Sequence, residues 1–370
     1  MKTAVRLEGM RPSPVRMLSE GAPPDAISLG LGEPTWDMPK AAVEAFREIS
    51  GPCNYGDNQG LPELRITLGR YCGTDAEHVL VTSGSQAALF ALLHAWVGPG
   101  DKILSPDPGF VAYAGIAQLT GSTVVRYRLD AGNSFRLQSQ AILDRVDDPA
   151  VKAVILNHPG NPTGAGATAD ELRAVAEACE RRGILLISDE VYRDLYFTER
   201  PPSLRDVTTY GIVTSSLSKA WSSPGLRIGW AIGDPSWLQP ARVMHSFMVT
   251  GASVPAQKAA VAIVEQSEEI HAQSRRELYS RWDAMRRSLK QFLGIEADTP
   301  DGAFYYWTKI PSGATADPLQ FCLRLRDEAK VIVVPGFLFG EEGKQYIRLS
   351  FAAFPEQVRE GIQRLSRLWR

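Results

Sequence analysis

The sequence predicts an α/β protein, in which a large domain with a mostly parallel central sheet flanked by helices is joined to a smaller α+β domain. Three observations lead to this fold class. Short β-rich runs alternate with helical segments from about residue 79, the pattern changes after about residue 253, and the chain has 370 residues, enough for two domains. Strands that alternate with helices need crossover connections, which favour parallel pairing and cover both faces of a sheet.

The large domain begins with the strand candidate HVLVT, which leads into a helix whose leucines recur at helical spacing until Gly98 and Pro99 end it. Further strand candidates follow in chain order: DKILS, STVVRYRL, VKAVILN, GILLISDE and GIVTSS. The run ILLIS is apolar throughout, which is typical of a central parallel strand buried on both faces.

The second domain is predicted from the change of pattern in the last third of the chain. Residues 254–293 contain no glycine and, after Pro255, no proline, which favours one or two long helices. The segments GAFYYWTKI, LQFCLRLRDEAK, VIVVPG, QYIRLSF and PEQVREGIQRLSRLWR then compose an α+β unit. We predict a large domain over residues 33–265 and a small domain made of residues 1–32 and 266–370, because the proline-rich N-terminus has no place in the βα alternation.

Composition and charge exclude several classes of protein. A net charge of -2 without a basic tract argues against nucleic acid as a partner. The first residues lack the apolar core of a signal peptide, and no run of about 18 apolar residues indicates a membrane span. Four cysteines without a C-x-x-C pair and five histidines without H-x-x-x-H indicate no metal site. We therefore expect a cytoplasmic protein that works without a metal or a membrane.

Polar residues follow the predicted strands, at the sheet edge where ligands of parallel sheets bind. After HVLVT, the residues Gly84, Ser85 and Gln86 open a helix, where free N–H groups and the helix dipole favour an anion such as phosphate. The run Ser83-Gly84-Ser85 before a helix is, however, more often just a helix cap.

The next three strand ends add side chains with more specific chemistry. VKAVILN runs into HPGNPTG, a rigid turn that fixes Asn161. ILLIS delivers Asp189, a carboxylate that is costly to bury unless a cationic group meets it. GIVTSS ends in SLSKAWSSPGLRIGW, which contributes Ser216, Lys219 and Arg227.

These groups together match what pyridoxal 5'-phosphate (PLP) requires of a protein. Asp189 can hold the ring nitrogen protonated, the helix start and Arg227 can hold the phosphate, and Lys219 can form a Schiff base.

Eight sequence motifs follow one another along the chain in this order: LGLGEPTWDMP, YGDNQGLPELR, TSGSQAAL, DPGFVAY, NHPGNPTG, ISDEVY, SLSKAWSSPGLRIGW and IRLSF. With them the chain resembles, over nearly its whole length, the class I/II aminotransferase family, fold type I PLP-dependent enzymes of the aspartate aminotransferase superfamily. The resemblance implies a fold type I transferase that moves the amino group of an L-amino acid to a 2-oxo acid through internal aldimine, external aldimine and pyridoxamine forms of PLP.

The resemblance also implies roles around the PLP ring. Lys219 holds PLP and moves the proton between the substrate Cα and the cofactor. Asp189 pairs with the ring nitrogen, and Asn161 and Tyr192 hydrogen-bond the 3-oxygen. Phe110 stands where the family often has a tyrosine or tryptophan, so stacking on the ring survives but a hydroxyl hydrogen bond does not.

Phosphate binding is implied for five residues, namely Gly84, Ser85, Gln86, Ser216 and Arg227. Tyr55 matches a tyrosine that reaches the phosphate of the neighbouring subunit, which implies a homodimer with shared active sites.

Substrate binding is implied for Arg348, whose planar fork suits a carboxylate, and for Asn161. Gly32 lies where the N-terminal segment closes over that carboxylate. Trp36, together with Phe110 and Tyr113, hints at a pocket for an aromatic or other apolar side chain, although aromatics at such positions are commonly structural.

Other chemistries compete with transamination. Ser216 to Lys219 fits the S-x-x-K nucleophile motif, but neither S-D-N nor K-T-G follows it in the sequence. A transcription regulator with an aminotransferase-like sensor domain is disfavoured, because only a few dozen proline-rich residues precede the first motif. The same fold also supports β-elimination, decarboxylation, racemisation and Claisen-type condensation. Arg348 disfavours decarboxylation, and a PLP-dependent C–S β-lyase is the runner-up to transamination.

Overall fold

The computed structural model describes residues 3–10, 15–311, 313 and 317–369. The strands are β1 Ile27–Ser28, β2 Val79–Thr82, β3 Lys102–Asp107, β4 Thr123–Arg128, β5 Val151–Asn157, β6 Leu185–Asp189, β7 Ile212–Ser216, β8 Gly229–Ile232, β9 Tyr305–Lys309, β10 Val331–Ile332, β11 Val334–Pro335 and β12 Tyr346–Ser350. The α-helices are α1 Lys40–Glu48, α2 Pro62–Cys72, α3 Ser85–Trp96, α4 Ala112–Thr120, α5 Gln140–Leu143, α6 Ala169–Arg182, α7 Pro235–Val249, α8 Val254–Glu265, α9 Ser267–Ser288, α10 Pro318–Asp327 and α11 Pro355–Leu365.

The central sheet has seven strands in the order β2-β8-β7-β6-β5-β3-β4. Strand β8 runs antiparallel to both of its neighbours, and all other pairs are parallel. The predicted mostly parallel sheet is therefore confirmed. Every residue of β6 is buried, as expected for a central strand covered on both faces.

Helix α6 shows how local sequence sets one of these crossover helices. Thr168 caps it by accepting a hydrogen bond from the backbone N–H of Glu171, and Gly183 ends it with a φ of 63°. Acidic residues in its first turn and arginines in its last turn complement the helix dipole. Its buried side chains, which include Leu172, Val175 and Cys179, recur at helical spacing and face the sheet.

The C-terminal unit is built on a three-stranded antiparallel sheet in the order β11-β12-β9. Strand β1, from the N-terminal segment, pairs in parallel with β10 through Ile27 opposite Val331 and Ser28 opposite Ile332. This pairing supports a small domain made from both ends of the chain, and we retain the boundaries 33–265, 1–32 and 266–370 as a proposal. Within those ranges, residues 1, 2, 11–14, 312, 314–316 and 370 lie outside the described residues.

The long glycine-free stretch forms two helices, α8 and α9, which meet at Gln266. A π-helical turn, Leu289–Leu293, follows α9, and Gly294 ends it in the left-handed conformation. Among the helices of the described ranges, none combines the length and the apolar character needed to cross a bilayer.

Candidate active site

The carboxyl ends of the central strands gather the predicted polar residues at one edge of the sheet. Asp189 is the last residue of β6, Ser216 is the last residue of β7, and Ser85 is the first residue of α3. Gly229, at the start of β8, pairs with both Thr82 and Ser216. A Cβ on Gly229 would overlap the backbone at the start of α3, so this position needs a glycine for the strand and the helix to approach each other.

The start of α3 and Arg227 together form a cup of hydrogen-bond donors. Gly84 has a φ of 85°, and a Cβ placed on it would lie 2.5 Å from Nη2 of Arg227. The guanidinium therefore lies directly against the loop that precedes the helix. Ser216 is buried, whereas Gln86 is exposed and Ser85 is partly buried. Free N–H groups at a helix start next to a guanidinium suit a phosphate.

Asp189 is buried with only one of its carboxylate oxygens paired. The hydroxyl of Tyr113 donates to Oδ2 at 2.8 Å, while Oδ1 has no hydrogen-bond partner within the described residues. Burial raises the pKa of Asp189 from 3.8 to about 6. An unpaired carboxylate oxygen in such a place fits a protonated pyridine nitrogen, which supplies both a donor and a positive charge.

Lys219 lies near Asp189, among aromatic rings. Its Nζ donates to the carbonyl of Gly32 at 2.5 Å and lies 5.5 Å from the ring centroid of Tyr192 and 5.6 Å from that of Phe304. Burial, assisted by the charge of Arg348, lowers the pKa of Lys219 from 10.5 to about 8. A larger fraction of its amine is therefore neutral and nucleophilic at neutral pH.

Arg348, in strand β12, is buried and bonded on two sides. Its Nη1 donates to Oδ1 of Asn161 at 2.7 Å, and its Nη2 donates to the carbonyl of Gly30 at 2.5 Å. Its Cζ lies 4.3 Å from the ring centroid of Tyr305 and 5.0 Å from that of Phe339. Nε has no hydrogen-bond partner within the described ranges, so donor capacity is left over for an anionic ligand.

Tyr192 completes this group through a second tyrosine. The hydroxyl oxygens of Tyr192 and Tyr305 are 2.7 Å apart, and both rings are buried. These contacts form one cluster. Tyr192 lies against Lys219 and reaches Arg348 through Tyr305, Arg348 bonds Asn161, and the charge of Asp189 acts on Lys219.

Two of the predicted residues lie one ring away from this cluster, and a third lies on the surface. The ring of Trp36 packs edge to face on Phe304, which lies against Lys219. Trp36 donates from Nε1 to Oγ of Ser274 at 3.1 Å, and the ring of Phe110 packs edge to face on Tyr113. The side chain of Tyr55 is 91% exposed in the isolated chain. Their roles toward substrate, cofactor and partner subunit remain predictions.

Tyr305 and Gly229 are two residues of the site that the sequence pattern did not indicate. Tyr113, which was expected near the substrate side chain, lies in helix α4 and donates its hydroxyl hydrogen to Asp189. Its role toward the substrate side chain stays a prediction. The motif GAFYYWTKI contains Tyr305, but nothing in the pattern indicates which of its aromatic residues turns toward Tyr192. In the part of the chain that the structure describes, no group of three His, Cys, Asp or Glu side chains could hold a metal ion.

The unpaired oxygen of Asp189 and the donor cup, on a mostly parallel seven-stranded sheet, define a PLP-dependent enzyme of fold type I. Comparisons with known proteins narrow this class. The family model for aminotransferase class I and II matches residues 24–365, so the chain belongs to that family. The activity is PLP-dependent transfer of an amino group between an amino acid and a 2-oxo acid, and nothing in the comparisons favours the C–S β-lyase.

Individual relatives cover almost the whole chain. The aspartate aminotransferase of Geobacillus stearothermophilus is 31% identical over 99% of this chain and 98% of its own. Aromatic-amino-acid aminotransferase 2 of Thermococcus litoralis is 30% identical over 100% of this chain and 98% of its own. Among solved structures, Thermus thermophilus aspartate aminotransferase with maleate matches with a TM-score of 0.92 at 28% identity, over 100% of both chains.

Proposed function

We propose that this aminotransferase takes an aromatic or other apolar L-amino acid as its amino donor. The observation that carries the proposal is the set of rings around the two reactive cations: Tyr305 and Phe339 against Arg348, and Tyr192 and Phe304 against Lys219. One relative is named an aromatic-amino-acid aminotransferase, and others are named aspartate aminotransferases. Aspartate is therefore the substrate to compare against.

When bound, PLP supplies an electron sink for the carbon that carries the amino group. We assign Oδ1 of Asp189 to the ring nitrogen and Nζ of Lys219 to the covalent bond with the cofactor. Oδ1 of Asn161 accepts from Arg348, which leaves its amide N–H groups free for the 3-oxygen, and the hydroxyl of Tyr192 is assigned to the same oxygen. Phe110 is assigned to stacking on the ring.

The phosphate is assigned to the donor cup, which consists of Gly84, Ser85, Gln86, Ser216 and Arg227. The position of the Arg227 guanidinium against the start of α3 supports this assignment of the phosphate. A phosphate there meets backbone N–H groups and a full positive charge together, which gives charge-assisted hydrogen bonds.

The reaction then depends on what three side chains do to the substrate. Arg348 binds the substrate carboxylate with its fork, in place of the carbonyl of Gly30. Nζ of Lys219 would take the proton from the substrate Cα, and the burial that lowers the pKa of this amine suits it to act as a base. Trp36 and Phe110 are assigned to the substrate side chain, and Gly32 to the segment that covers the carboxylate.

A homodimer is part of the same proposal. Tyr55 is 91% exposed and Phe247 is 87% exposed, and Val243 and Val249 on the same helix as Phe247 are also exposed. A second copy would cover this apolar surface and let Tyr55 reach the neighbouring phosphate. We also assign the enzyme to the cytoplasm, in keeping with its free cysteines.

A half-reaction screen tests the substrate assignment. The PLP form is mixed with one amino acid at a time, and conversion to the pyridoxamine form is followed by the visible absorption. Phenylalanine, tyrosine or leucine should convert at least about tenfold faster than aspartate, a difference of about 1.4 kcal/mol in transition-state binding. Fastest conversion by aspartate would contradict the proposal.

Subunit mixing tests the shared site. A Tyr55→Ala chain and a Lys219→Ala chain are each expected to be impaired, but their heterodimer contains one intact site. Random mixing should restore about a quarter of the wild-type activity. No restoration, or a monomer in sedimentation experiments, would contradict the dimer.

A further inference from the structure

The hydroxyl groups of Tyr192 and Tyr305 form a pair that the roles assigned above do not use. Their oxygens are 2.7 Å apart, although Tyr192 follows β6 in the large domain and Tyr305 begins β9 in the small domain. The two residues are 113 positions apart in the chain. This hydrogen bond therefore joins the two parts of the protein at the reactive centre.

Counting protons shows what the pair can do. Burial raises the pKa of both phenols, so each keeps its proton at neutral pH. One proton suffices for the bond between the two oxygens, which leaves the other for a third acceptor. The 3-oxygen of the cofactor is the stronger acceptor. With Tyr192 donating to it, the proton between the two tyrosines must come from Tyr305.

The position of Tyr305 is fixed from two sides. The guanidinium of Arg348 lies over its ring at 4.3 Å. On the other side, a Cβ placed on Gly32 would overlap the Tyr305 hydroxyl, which shows how closely this hydroxyl lies against the N-terminal segment. The carbonyl of the same glycine accepts from Nζ of Lys219. The hydroxyl is thus held in place for donation and has little room to turn away.

We propose that Tyr305 is a positioning residue whose hydroxyl donates to Tyr192 and so strengthens the hydrogen bond from Tyr192 to the 3-oxygen of PLP. The inference rests on the role of Tyr192 proposed above. A donated hydrogen bond polarises the O–H of its acceptor, and each bond in such a chain strengthens the next by about 10–30%. Because Tyr305 also packs on Arg348, it links the carboxylate-binding residue to the cofactor.

The pH dependence of the visible absorption of bound PLP provides the readout. It reports the pKa of the nitrogen that joins Lys219 to the cofactor. A donor to the 3-oxygen stabilises negative charge there and makes that oxygen a weaker partner for the proton on this nitrogen, which lowers the pKa. Removing the donor should therefore raise the midpoint of the absorption change.

The test compares Tyr305→Phe with Tyr192→Phe, each in the PLP-loaded enzyme. Tyr192→Phe should raise the midpoint, and Tyr305→Phe should raise it by roughly a tenth to a third of that shift. The double variant should match Tyr192→Phe alone, because Tyr305 acts through Tyr192. The KM for the amino acid should change little in Tyr305→Phe, since a phenyl ring still packs on Arg348.

Tyr306→Phe is the matched control, because Tyr306 is the next residue of the same strand and its ring packs on Trp282 instead. It should leave the midpoint unchanged. Incorporation of 3-fluorotyrosine at position 305 provides a second variant that deletes no atom of the hydroxyl group. A more acidic phenol donates more strongly, so this enzyme should have a lowered midpoint.

The outcomes separate this inference from the proposed function. If Tyr192→Phe moves the midpoint while both changes at position 305 leave it in place, Tyr305 is a packing residue and the inference is wrong. Additive shifts in the double variant would also overturn it. If Tyr192→Phe itself produces no shift, the role proposed for Tyr192 fails, and the inference fails with it.

Discussion

The two ends of the active site are assembled in different ways. At the cofactor end, Asp189, Ser216 and Lys219 come from two adjacent parallel strands and the turn that follows them. At the carboxylate end, Arg348 reaches Asn161 and Gly30, which are 187 and 318 positions away in the chain. The cofactor end follows from strand topology, whereas the carboxylate end exists only where strand β12 of the three-stranded sheet meets the turn after β5 and the N-terminal segment.

This difference separates two kinds of damage. A change at a strand end should abolish or weaken PLP binding and leave the contacts of the small domain in place. A change at the carboxylate end should spare PLP and weaken the recognition of substrate. Three variants test this separation, and a fourth, Asp189→Asn, tests the burial cost of the carboxylate at the cofactor end; they follow in order of decreasing effect.

Lys219→Ala should have the largest effect, because it removes both the covalent bond to PLP and the general base. We expect the turnover number to fall by about four orders of magnitude, at the upper end of what a general base supplies. The visible absorption of the lysine-bound cofactor should disappear. Lys258→Ala, on helix α8, serves as a control, and a Lys219→Ala enzyme that kept both absorption and activity would refute the assignment.

Arg348→Leu should break the carboxylate end alone. Truncating one partner of a buried, hydrogen-bonded charge pair costs about 2–5 kcal/mol, which is about 30-fold to several thousandfold in kcat/KM. The visible absorption of bound PLP should remain that of the wild type. Steady-state kinetics and a spectrum of the same preparation provide the check. Loss of PLP in this variant would show that the two ends are not separable.

Asp189→Asn should stabilise the protein after PLP has been stripped from it. The pKa of Asp189 is about 6 in the folded protein against 3.8 for a free aspartate side chain, so the folded state binds this proton more tightly than the unfolded state. The contribution of Asp189 to the free energy of unfolding therefore decreases as the pH rises from about 4 to about 6, and it stays at this lower value at higher pH. The loss amounts to about 3 kcal/mol.

Urea unfolding of both stripped proteins at pH 7 and below pH 5 measures this effect. Asparagine keeps an oxygen that accepts from the Tyr113 hydroxyl but carries no charge. The variant should therefore be more stable than the wild type at pH 7, by up to about 3 kcal/mol. The advantage should shrink at the lower pH. A variant that is less stable at pH 7 would contradict the burial cost assigned to Asp189.

Gly84→Ala should have the smallest effect. A φ of 85° disfavours alanine, and the new Cβ would lie 2.5 Å from Nη2 of Arg227. Strain of about 1–2 kcal/mol should weaken PLP binding by roughly tenfold. Gly183→Ala is the matched control, because Gly183 also has a positive φ of 63° but nothing within 4 Å of an added Cβ.

The control variant should therefore lose stability without a change in PLP affinity, and an absorbance titration with PLP measures both proteins. Equal PLP affinities of the two variants would show that Arg227 is not held against Gly84 in solution.

Much of the large domain and of the cofactor end could be predicted from the sequence. The strand candidates from HVLVT to GIVTSS correspond to β2 through β7, and the polar residues after them lie at one edge of the sheet as expected. The reason is local. A buried strand must end, the residue after it must lie at the carboxyl edge, and in parallel strands all such edges coincide.

Other features of the large domain required the structure. Strand β8 lies between β2 and β7 and runs antiparallel to both, which periodicity does not reveal. Likewise, the glycine-free stretch predicts helix, but not its division at Gln266.

By itself, the sequence determined the fold class, the succession of the strands β2 to β7 along the chain and the candidate residues at their carboxyl ends, because each depends on neighbours within one βα unit. Only the tertiary structure decided that Tyr305 lies on Tyr192, that Tyr113 donates to Asp189, and that the carbonyls of the N-terminal segment face Arg348 and Lys219. These contacts join residues from distant parts of the chain, several of them from different domains. Their geometry is set by how the parts pack, and no local pattern in either partner specifies it.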